Sequence, residues 1–195
     1  LATMAFALCF AVTLLPIPVP IIGASSHMCA TPLLALLFGP RIMAFPVFGV
    51  LFLHALFFAH GGISTLGANI LTLGVIGPWV TWVTLGALAK LRLNTLTSIG
   101  LSCFIGSISV YFADTMLLSW ALVEKQYFWK TFQSVSLGFL PVQGPLSILE
   151  AVVSAIVLVY LAKYRDDFVP SSIGNMLRKK TPNRSVPISA IVSIL

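Results

Sequence analysis

The histidines of this 195-residue chain are concentrated in one short part of an otherwise apolar sequence. All three, His27, His54 and His60, lie within residues 25–69. Imidazole is the commonest side-chain ligand of transition metals such as nickel, cobalt, zinc and copper. Polar groups are costly to bury in a bilayer, so their presence among long hydrophobic runs indicates a functional site. The spacing predicts a small polar chamber, able to bind a metal ion, at one end of a helical bundle.

Each histidine also has a purely structural interpretation. His27 follows a proline-rich stretch, so we expect it on an irregular segment, either as a metal ligand or hydrogen-bonded to backbone in a buried loop. His60 precedes two glycines that permit a tight reversal at a helix end, where a histidine also suits the helix dipole. We therefore expect His60 to support a ligand rather than to be one, and His54 to be a packing residue.

Three other polar residues lie within or beside apolar runs. Asn69 follows Gly67-Ala68 at the opening of a helix, where a buried amide must find partners. Gln143 precedes Pro145, which fits the first turn of the last membrane helix. Glu150 follows within that helix, so its carboxyl group must be paired, protonated or directed into a polar cavity. Pairing with a polar group on a neighbouring helix is the slightly favoured interpretation of Glu150.

The composition determines the class of the protein. Hydrophobic residues make up 58% of the chain, charged residues 8%, and the mean hydropathy is +1.04, whereas soluble domains carry about 25% charged residues. The chain is therefore expected to be all-α, a polytopic transmembrane bundle of about five to six membrane helices, one of them short. The net charge of +6 indicates membrane orientation and contact with lipid, not nucleic-acid binding. The three cysteines provide no disulfide framework, and Cys9 and Cys103 are expected to be buried thiols; Cys29 stands apart because it follows His27 by two residues.

The apolar runs, and the glycines and prolines between them, predict the elements that position these groups. We expect helices at 2–15, 31–38 (too short to cross alone), 42–59, 66–91, 94–122 and 145–162. Residues 1–162 would form a transmembrane substrate-binding domain, and residues 163–195 a basic cytoplasmic tail. The prolines between the first two helices force an extended path there.

The positive charges predict the orientation, because cytoplasmic loops collect Lys and Arg. Lys90 and Arg92 mark one inner turn, and the basic C-terminal stretch 163–184 marks another. Counting crossings back from the C-terminus places residues 124–143 in an outer loop. His27, His60 and Gln143 would then lie near the outer face of the cell (inner) membrane, with the C-terminus in the cytoplasm.

Several catalytic signatures are absent from the sequence. There is no HExxH zincin motif, no Gly-rich phosphate loop and no G-x-S-x-G elbow. We therefore do not expect the chain to be an enzyme, an ATPase or a classical hydrolase by itself. A metal-dependent intramembrane enzyme would need an acid or base, and Glu150 is the candidate for that role.

Several blocks in the same order resemble a known family, the cobalt/nickel-binding S components of energy-coupling-factor transporters of CbiM or NikM type. The resemblance covers roughly residues 18–162. The blocks are Ser25-Ser26-His27, Leu37-Phe38-Gly39-Pro40, residues 58–69 (FAHGGISTLGAN), residues 74–78 (GVIGP) and residues 143–150 (QGPLSILE).

The resemblance implies capture of Co²⁺ or Ni²⁺ as a transported ligand, with no prosthetic group. In this family a Met-His N-terminus supplies an amine, a peptide nitrogen and an imidazole, and a further histidine, which matches His27 here, completes a planar nitrogen site. A transmembrane coupling protein and two cytoplasmic ATPases are the implied partners. The residues expected to orient the loop or the imidazole are Ser25, Ser26, His60, Asn69 and Gln143.

Two departures from the family pattern are expected to matter. Leu1 falls where the family's second span begins, so the Met-His start and the first helix are expected to be missing. Met28 and Cys29 replace the usual residues after His27, and these soft donors either shift the metal preference toward Cu(I) or Zn(II) or are packing substitutions. The alternative to a metal-capture component is a truncated or divergent membrane scaffold of the same fold that lacks high-affinity transport.

Overall fold

A computed structural model describes residues 2–13, 17–19, 24–57, 62–91, 93–122 and 127–179. The elements within these ranges are α1 (Ala2–Thr13), β1 (Ile17–Val19), β2 (Ala24–Ser26), α2 (Thr31–Phe38), α3 (Ala44–Phe57), α4 (Gly62–Asn69), a π-helical segment (Ile70–Ile76), α5 (Gly77–Lys90), α6 (Thr95–Leu122), α7 (Phe128–Tyr164) and α8 (Ser171–Lys179).

The predicted helical membrane bundle is confirmed. Among the described residues, four helical stretches are long and apolar enough to cross a bilayer: Pro40–Phe57, Gly62–Lys90, Thr95–Leu122 and Phe128–Tyr164. Helix α1 is apolar but shorter, and α2 has only 8 residues, so the predicted short helix is present. Large apolar side chains face outward, as in Phe45 (77% exposed) and Trp120 (74%), which suits a surface covered by lipid.

The last membrane helix differs from its prediction. We expected an outer loop over 124–143 and a helix beginning at Pro145, but α7 runs without interruption from Phe128 to Tyr164 and includes Pro141 and Pro145. Proline in a membrane helix removes a backbone donor without ending the helix, because neighbouring helices and side chains satisfy the freed carbonyl groups. At 37 residues, or roughly 56 Å, α7 is far longer than a bilayer core of about 30 Å.

The third predicted span also begins earlier than expected. Helix α4 begins at Gly62 rather than near residue 66, and it continues through the π-helical segment into α5. Gly74 lies in that segment, and a Cβ on it would approach the backbone of Ala44 to 3.1 Å. The π-helical segment therefore packs closely against the start of α3.

The predicted extended path after α1 is present where the structure describes it. Strands β1 and β2 form a short antiparallel pair in which Pro18 is opposite Ser25 and Ile17 opposite Ser26. The hairpin leads directly into residues 27–30, which have no regular structure, and then into α2. His27 therefore lies on an irregular segment, as expected.

The buried apolar residues form two clusters, and α2 contributes to both. The first also joins α1, residues 29–30, α3 and the middle of α6, and the second joins the end of α5, the start of α6 and the end of α7. Lys90 and Lys163 close α5 and α7, on the side of the second cluster. The loop that carries His27 joins the first cluster through Cys29 and Ala30.

The described part of the predicted C-terminal tail is folded. After α7, a 3₁₀ turn at Asp166–Phe168 leads to α8, whose Ile173 is 2% exposed and packs in the second core cluster. Arg165 hydrogen-bonds to Asp167 with its Nε 3.1 Å from Oδ1 and holds the pKa of that carboxyl below its ordinary value. Helix α8 thus packs against the ends of α6 and α7.

Candidate metal centre

The histidine segment is a buried loop inserted between helices. His27 is 8% exposed, Cys29 4% and Ala30 9%. Ala30 has a φ of +51°, a left-handed conformation that non-glycine residues adopt rarely and that occurs where surrounding contacts impose it. The chain therefore makes a sharp, constrained turn between His27 and the start of α2.

The His27 ring is oriented by its own loop. Its Nδ1 lies 3.3 Å from the carbonyl oxygen of Met28. A carbonyl group can only accept a hydrogen bond, so this contact places the proton of a neutral ring on Nδ1 and the lone pair on Nε2. Metal-binding histidines commonly have this arrangement, with one ring nitrogen donating to a carbonyl group and the other directed at the metal.

Glu150 of α7 holds the same loop through its backbone. Its carboxyl group accepts hydrogen bonds from the backbone N–H groups of Cys29 and Ala30 and from the hydroxyl of Ser107 on α6. Ser147, one turn earlier on α7, lies with its Oγ 3.0 Å from the Ser107 Oγ. Hydrogen bonds to carboxylates contribute about 1.5–3 kcal/mol each, so Glu150 fixes the loop two residues beyond His27.

Gln143 fixes the other side of the loop. The hydroxyl of Ser26 donates to Gln143 Oε1 over 2.9 Å, and Gln143 is 4% exposed. Gln143, Ser147 and Glu150 are spaced i, i+4 and i+7, so they lie along one face of α7. This polar face binds the loop on both sides of His27.

Helix α6 supplies a matching polar face. Ser107 contacts Glu150, and the Tyr111 hydroxyl donates to the carbonyl oxygen of His27 over 3.4 Å. The same hydroxyl lies 4.0 Å from the Cys29 sulfur. Asp114 continues the spacing 107, 111 and 114, and its carboxyl group hydrogen-bonds to Thr72 of the π-helical segment.

His54 lies beside His27. It is 2% exposed, as expected for a packing residue, and its ring centroid is 6.4 Å from that of His27 with the rings nearly perpendicular. Its Nε2 is 3.4 Å from the Thr13 hydroxyl, and its ring also contacts Phe10 at 5.5 Å. The structure thus brings together two of the three histidines, along with Ser26, Cys29, Gln143 and Glu150.

The remaining candidate residues are His60, Ser25, Met28 and Asn69. His60 lies outside the described residues. Ser25 pairs through its backbone with Pro18, and Met28 is half-buried and contributes its carbonyl oxygen to His27. Asn69 ends α4, later in its helix than expected, and its carbonyl oxygen accepts from the Thr72 hydroxyl over 3.3 Å.

Sequence reasoning missed Ser107, Tyr111 and Asp114. Their i, i+4, i+7 spacing on a helix already predicted from hydropathy is the signal that could have identified them. Within the described ranges, no three His, Cys, Asp or Glu side chains are arranged to hold a metal ion. The loop therefore presents a positioned imidazole rather than a complete coordination shell.

The fold and the loop define a multi-pass helical membrane protein with a buried polar centre around one oriented histidine. Residues 1–168 match the family model of CbiM, the cobalt uptake substrate-specific transmembrane region. The chain therefore belongs to the CbiM family.

Curated relatives and solved structures agree with this assignment. The chain is 31% identical over 163 residues to a cobalt transport protein CbiM of Geobacter sulfurreducens, covering 84% of this chain and 47% of the relative. It is 32% identical to a CbiM of Sorangium cellulosum, covering 82% of this chain and 71% of that protein. Two crystal structures share the fold. A transition metal transporter matches with a TM-score of 0.71 at 23% identity, covering 92% of this chain and 82% of that protein. A truncated transition metal transporter matches with a TM-score of 0.73 at 24% identity, covering 84% of this chain and 79% of that protein.

Proposed function

We propose that this chain is the substrate-capture component of a metal importer and that His27 binds the transported Co²⁺ or Ni²⁺. The observation that carries the proposal is the fixed loop: Gln143 and Glu150 anchor it on either side of His27, and the Met28 carbonyl directs the imidazole Nε2 to act as the ligand. Polar groups are costly to bury in a membrane bundle, so their concentration around one histidine supports a functional role for His27.

The family membership supports cobalt or nickel as the ion. Relatives of this chain are named cobalt transport proteins, and imidazole nitrogen suits both ions. His27 supplies one nitrogen ligand of the ion, and the described residues hold no group of three metal-binding side chains around it. Ser26, Gln143 and Glu150 act on the ion indirectly, by holding the loop.

The contacts of Glu150 favour a positioning role over acid–base catalysis. Its carboxyl group accepts from two backbone N–H groups and one hydroxyl, so the loop and α6 both engage it. The chain accordingly binds and releases an ion, and ATP hydrolysis belongs to separate cytoplasmic subunits that act through a transmembrane coupling protein.

The positive charges support an orientation. Lys90 and Lys163 close α5 and α7, and positive residues collect at the cytoplasmic ends of membrane helices, so these two helix ends face the cytoplasm. The His27 loop contacts the middle of α6 and α7 and receives the ion from outside the inner membrane.

Uptake of radioactive cobalt or nickel by cells tests the function. Cells that express the full-length protein with its coupling protein and ATPases are expected to accumulate the ion, and the His27→Ala variant is expected to lose most of this uptake at equal membrane abundance. Uptake by the His27→Ala variant equal to that of the unmodified protein would contradict the role of His27. Absence of uptake in both would favour the scaffold alternative.

A further inference from the structure

Asp114 is a carboxyl group in the membrane-spanning part of α6 that the proposed capture of cobalt or nickel does not use. At a rise of about 1.5 Å per residue it lies roughly 8 Å from the middle of this helix, well within a bilayer core of about 30 Å. Among the residues that the structure describes, Arg165 and Asp167 form the only Lys or Arg ion pair, so no described Lys or Arg pairs with Asp114. An ionisable group at this depth without such a partner indicates a functional position.

Asp114 lies on the side of α6 that contacts the His27 loop (residues 27–30). It follows by one turn Tyr111, whose hydroxyl donates to the carbonyl oxygen of His27 over 3.4 Å. It follows by two turns Ser107, which donates to Glu150. Residues spaced by three and four positions share a helix face, so the Asp114 carboxyl group belongs to the polar face that holds the loop.

Further contacts place the Asp114 carboxyl group close to the loop. It accepts a hydrogen bond from the Thr72 hydroxyl of the π-helical segment, and Leu73, the next residue, lines the same narrow cavity as His27. The charge of Asp114 also acts electrostatically on the Cys29 side chain. A negative charge at Asp114 therefore reaches an ion bound at His27.

A divalent cation needs negative charge nearby when it enters an apolar bundle, because the loss of its hydration is costly in a medium of low dielectric constant. A neutral imidazole contributes no charge. The chain has five acidic residues, and two of them, Asp114 and Glu150, lie within the membrane-spanning helices that the structure describes. The charge that balances the ion within these helices therefore comes from one of these two carboxyl groups.

The two carboxyl groups are engaged differently. Glu150 accepts from the backbone N–H groups of Cys29 and Ala30 and from a hydroxyl of α6, so its charge is directed to the loop backbone. The described donor to Asp114 is the Thr72 hydroxyl. Asp114 is therefore the carboxyl group better able to balance an ion.

We propose that Asp114 is the counter-charge of the transported ion, a carboxylate that stabilises Co²⁺ or Ni²⁺ at His27 through electrostatic attraction without coordinating it. This role rests on the proposed binding of the ion by His27. Because the attraction is proportional to the charge of the ion, Asp114 favours a divalent cation over a monovalent one.

Titration of the full-length protein in lipid nanodiscs with Ni²⁺ tests the counter-charge. Asp114→Asn keeps an amide oxygen that can accept from Thr72 but removes the charge, and it should weaken Ni²⁺ binding at least about tenfold, as expected for a unit charge near a dication at an effective dielectric constant of about 20. Asp114→Glu keeps the charge and should bind Ni²⁺ more tightly than Asp114→Asn. Thr72→Val removes the hydrogen bond but keeps the charge, and it should leave the affinity nearly unchanged.

Asp167→Asn is the matched control. It also removes one carboxylate, but that side chain is 59% exposed at the turn after α7, where solvent screens its charge, so its replacement should leave Ni²⁺ affinity unchanged. An unchanged affinity in Asp114→Asn would overturn the proposal, as would an equal loss in Asp167→Asn. A loss in Thr72→Val as large as that in Asp114→Asn would also overturn it, because the hydrogen bond rather than the charge would then be responsible.

Relocation of the charge provides a second test that a purely structural role would fail. Because Thr72 contacts Asp114, adding Thr72→Asp to the Asp114→Asn variant returns a carboxylate to the same place and should recover part of the lost Ni²⁺ affinity. Thermal unfolding confirms that each variant is folded. A folded double variant that binds Ni²⁺ no better than Asp114→Asn would contradict the counter-charge.

The His27→Ala variant, titrated in parallel, separates this inference from the proposed function. A loss of Ni²⁺ binding in His27→Ala with none in Asp114→Asn would overturn the counter-charge alone. A loss in Asp114→Asn with none in His27→Ala would overturn the ligand role of His27 instead.

Discussion

The contact between Glu150 and the backbone after His27 connects a residue buried in α7 to the His27 loop. A carboxyl group within an apolar helix was expected to pair with a polar group nearby, and two of its three partners are backbone N–H groups of the loop itself. The conformation of the loop therefore depends on α7, and so does the position of the His27 imidazole, two residues away.

Substitutions of Glu150 should produce a graded loss of metal affinity. Glu150→Gln keeps one acceptor oxygen for the loop and should weaken Co²⁺ or Ni²⁺ binding about tenfold, whereas Glu150→Ala leaves the N–H groups of Cys29 and Ala30 unpaired and should weaken it about 100-fold, the range seen for partners of metal ligands. Isothermal titration of the purified full-length protein provides the measurement.

The same series distinguishes positioning from mere stabilisation. Thermal unfolding of each variant gives the stability, and Glu150→Asp should partly restore binding relative to Glu150→Ala. Equal affinity in all four proteins would show that the loop does not need α7. A fall in melting temperature without any change in affinity would assign Glu150 a structural role alone.

The residues of the site were partly accessible from the sequence. His27, Gln143 and Glu150 stood out as polar residues within or beside apolar runs, and Ser26 came from the family resemblance; the structure brings all four together around one loop. Ser107, Tyr111 and Asp114 were missed because the long sixth helix also carries many other small polar residues, and hydropathy alone does not show which of its faces meets the loop.

At the scale of elements, the close contact of α5 with α6 is what brings the polar face of α6 toward the loop. A Cβ on Gly106 would lie 1.8 Å from the Thr81 Oγ1 and 3.3 Å from the Gly77 carbonyl oxygen, and a Cβ on Gly77 would lie 2.5 Å from Val110 Cγ2. The two helices can approach this closely because glycine stands at both positions.

Gly106→Ala should therefore destabilise the bundle. The added methyl group has no room, because Thr81 is held by a 2.8 Å hydrogen bond to the Gly77 carbonyl oxygen, and overpacking of this kind costs about 1–3 kcal/mol. Thermal unfolding of the protein in detergent measures the effect. Gly86→Ala on α5 is the matched control, because a Cβ there meets nothing within 4 Å and should stabilise the helix by about 0.5–1 kcal/mol. An unchanged melting temperature for Gly106→Ala would mean that α5 and α6 do not pack as described.

The elements themselves were predictable to different degrees. Apolar runs indicated each membrane helix, since hydropathy determines which segments can cross a bilayer. The predicted start of α7 was wrong because Pro145 was assigned to the first turn of the helix, where proline is common, whereas membrane helices also retain proline in their interior. The π-helical segment was not predicted, because its hydrogen-bond pattern has no sequence signature.

At the scale of the whole molecule, the positive charges predict the orientation. Lys90 and Lys163 close α5 and α7, and Ile173 of α8 packs in the second core cluster on the same side. We propose that these helix ends are cytoplasmic and that the His27 loop, which contacts the middle of α6 and α7, receives the imported ion from outside.

Labelling of introduced cysteines should reveal this orientation. Asn175 on α8 and Ser64 on α4 are exposed, whereas the native thiols are buried and should react little. A membrane-impermeant maleimide should label Ser64→Cys in intact cells, and Asn175→Cys only in inverted vesicles. The unmodified protein is the control for background, and the reverse pattern would invert the orientation.

Metal content of the purified full-length protein tests the central claim, the binding of the transported ion by His27, most directly. After equilibration with Co²⁺ or Ni²⁺ and removal of excess, elemental analysis should find about one ion per chain in the unmodified protein and in the buried-thiol control Cys103→Ser. The His27→Ala variant should bind at least about 100-fold more weakly, because it loses a ligand rather than one of a ligand's partners. Retention of a full equivalent of metal by a correctly folded His27→Ala protein would contradict the account.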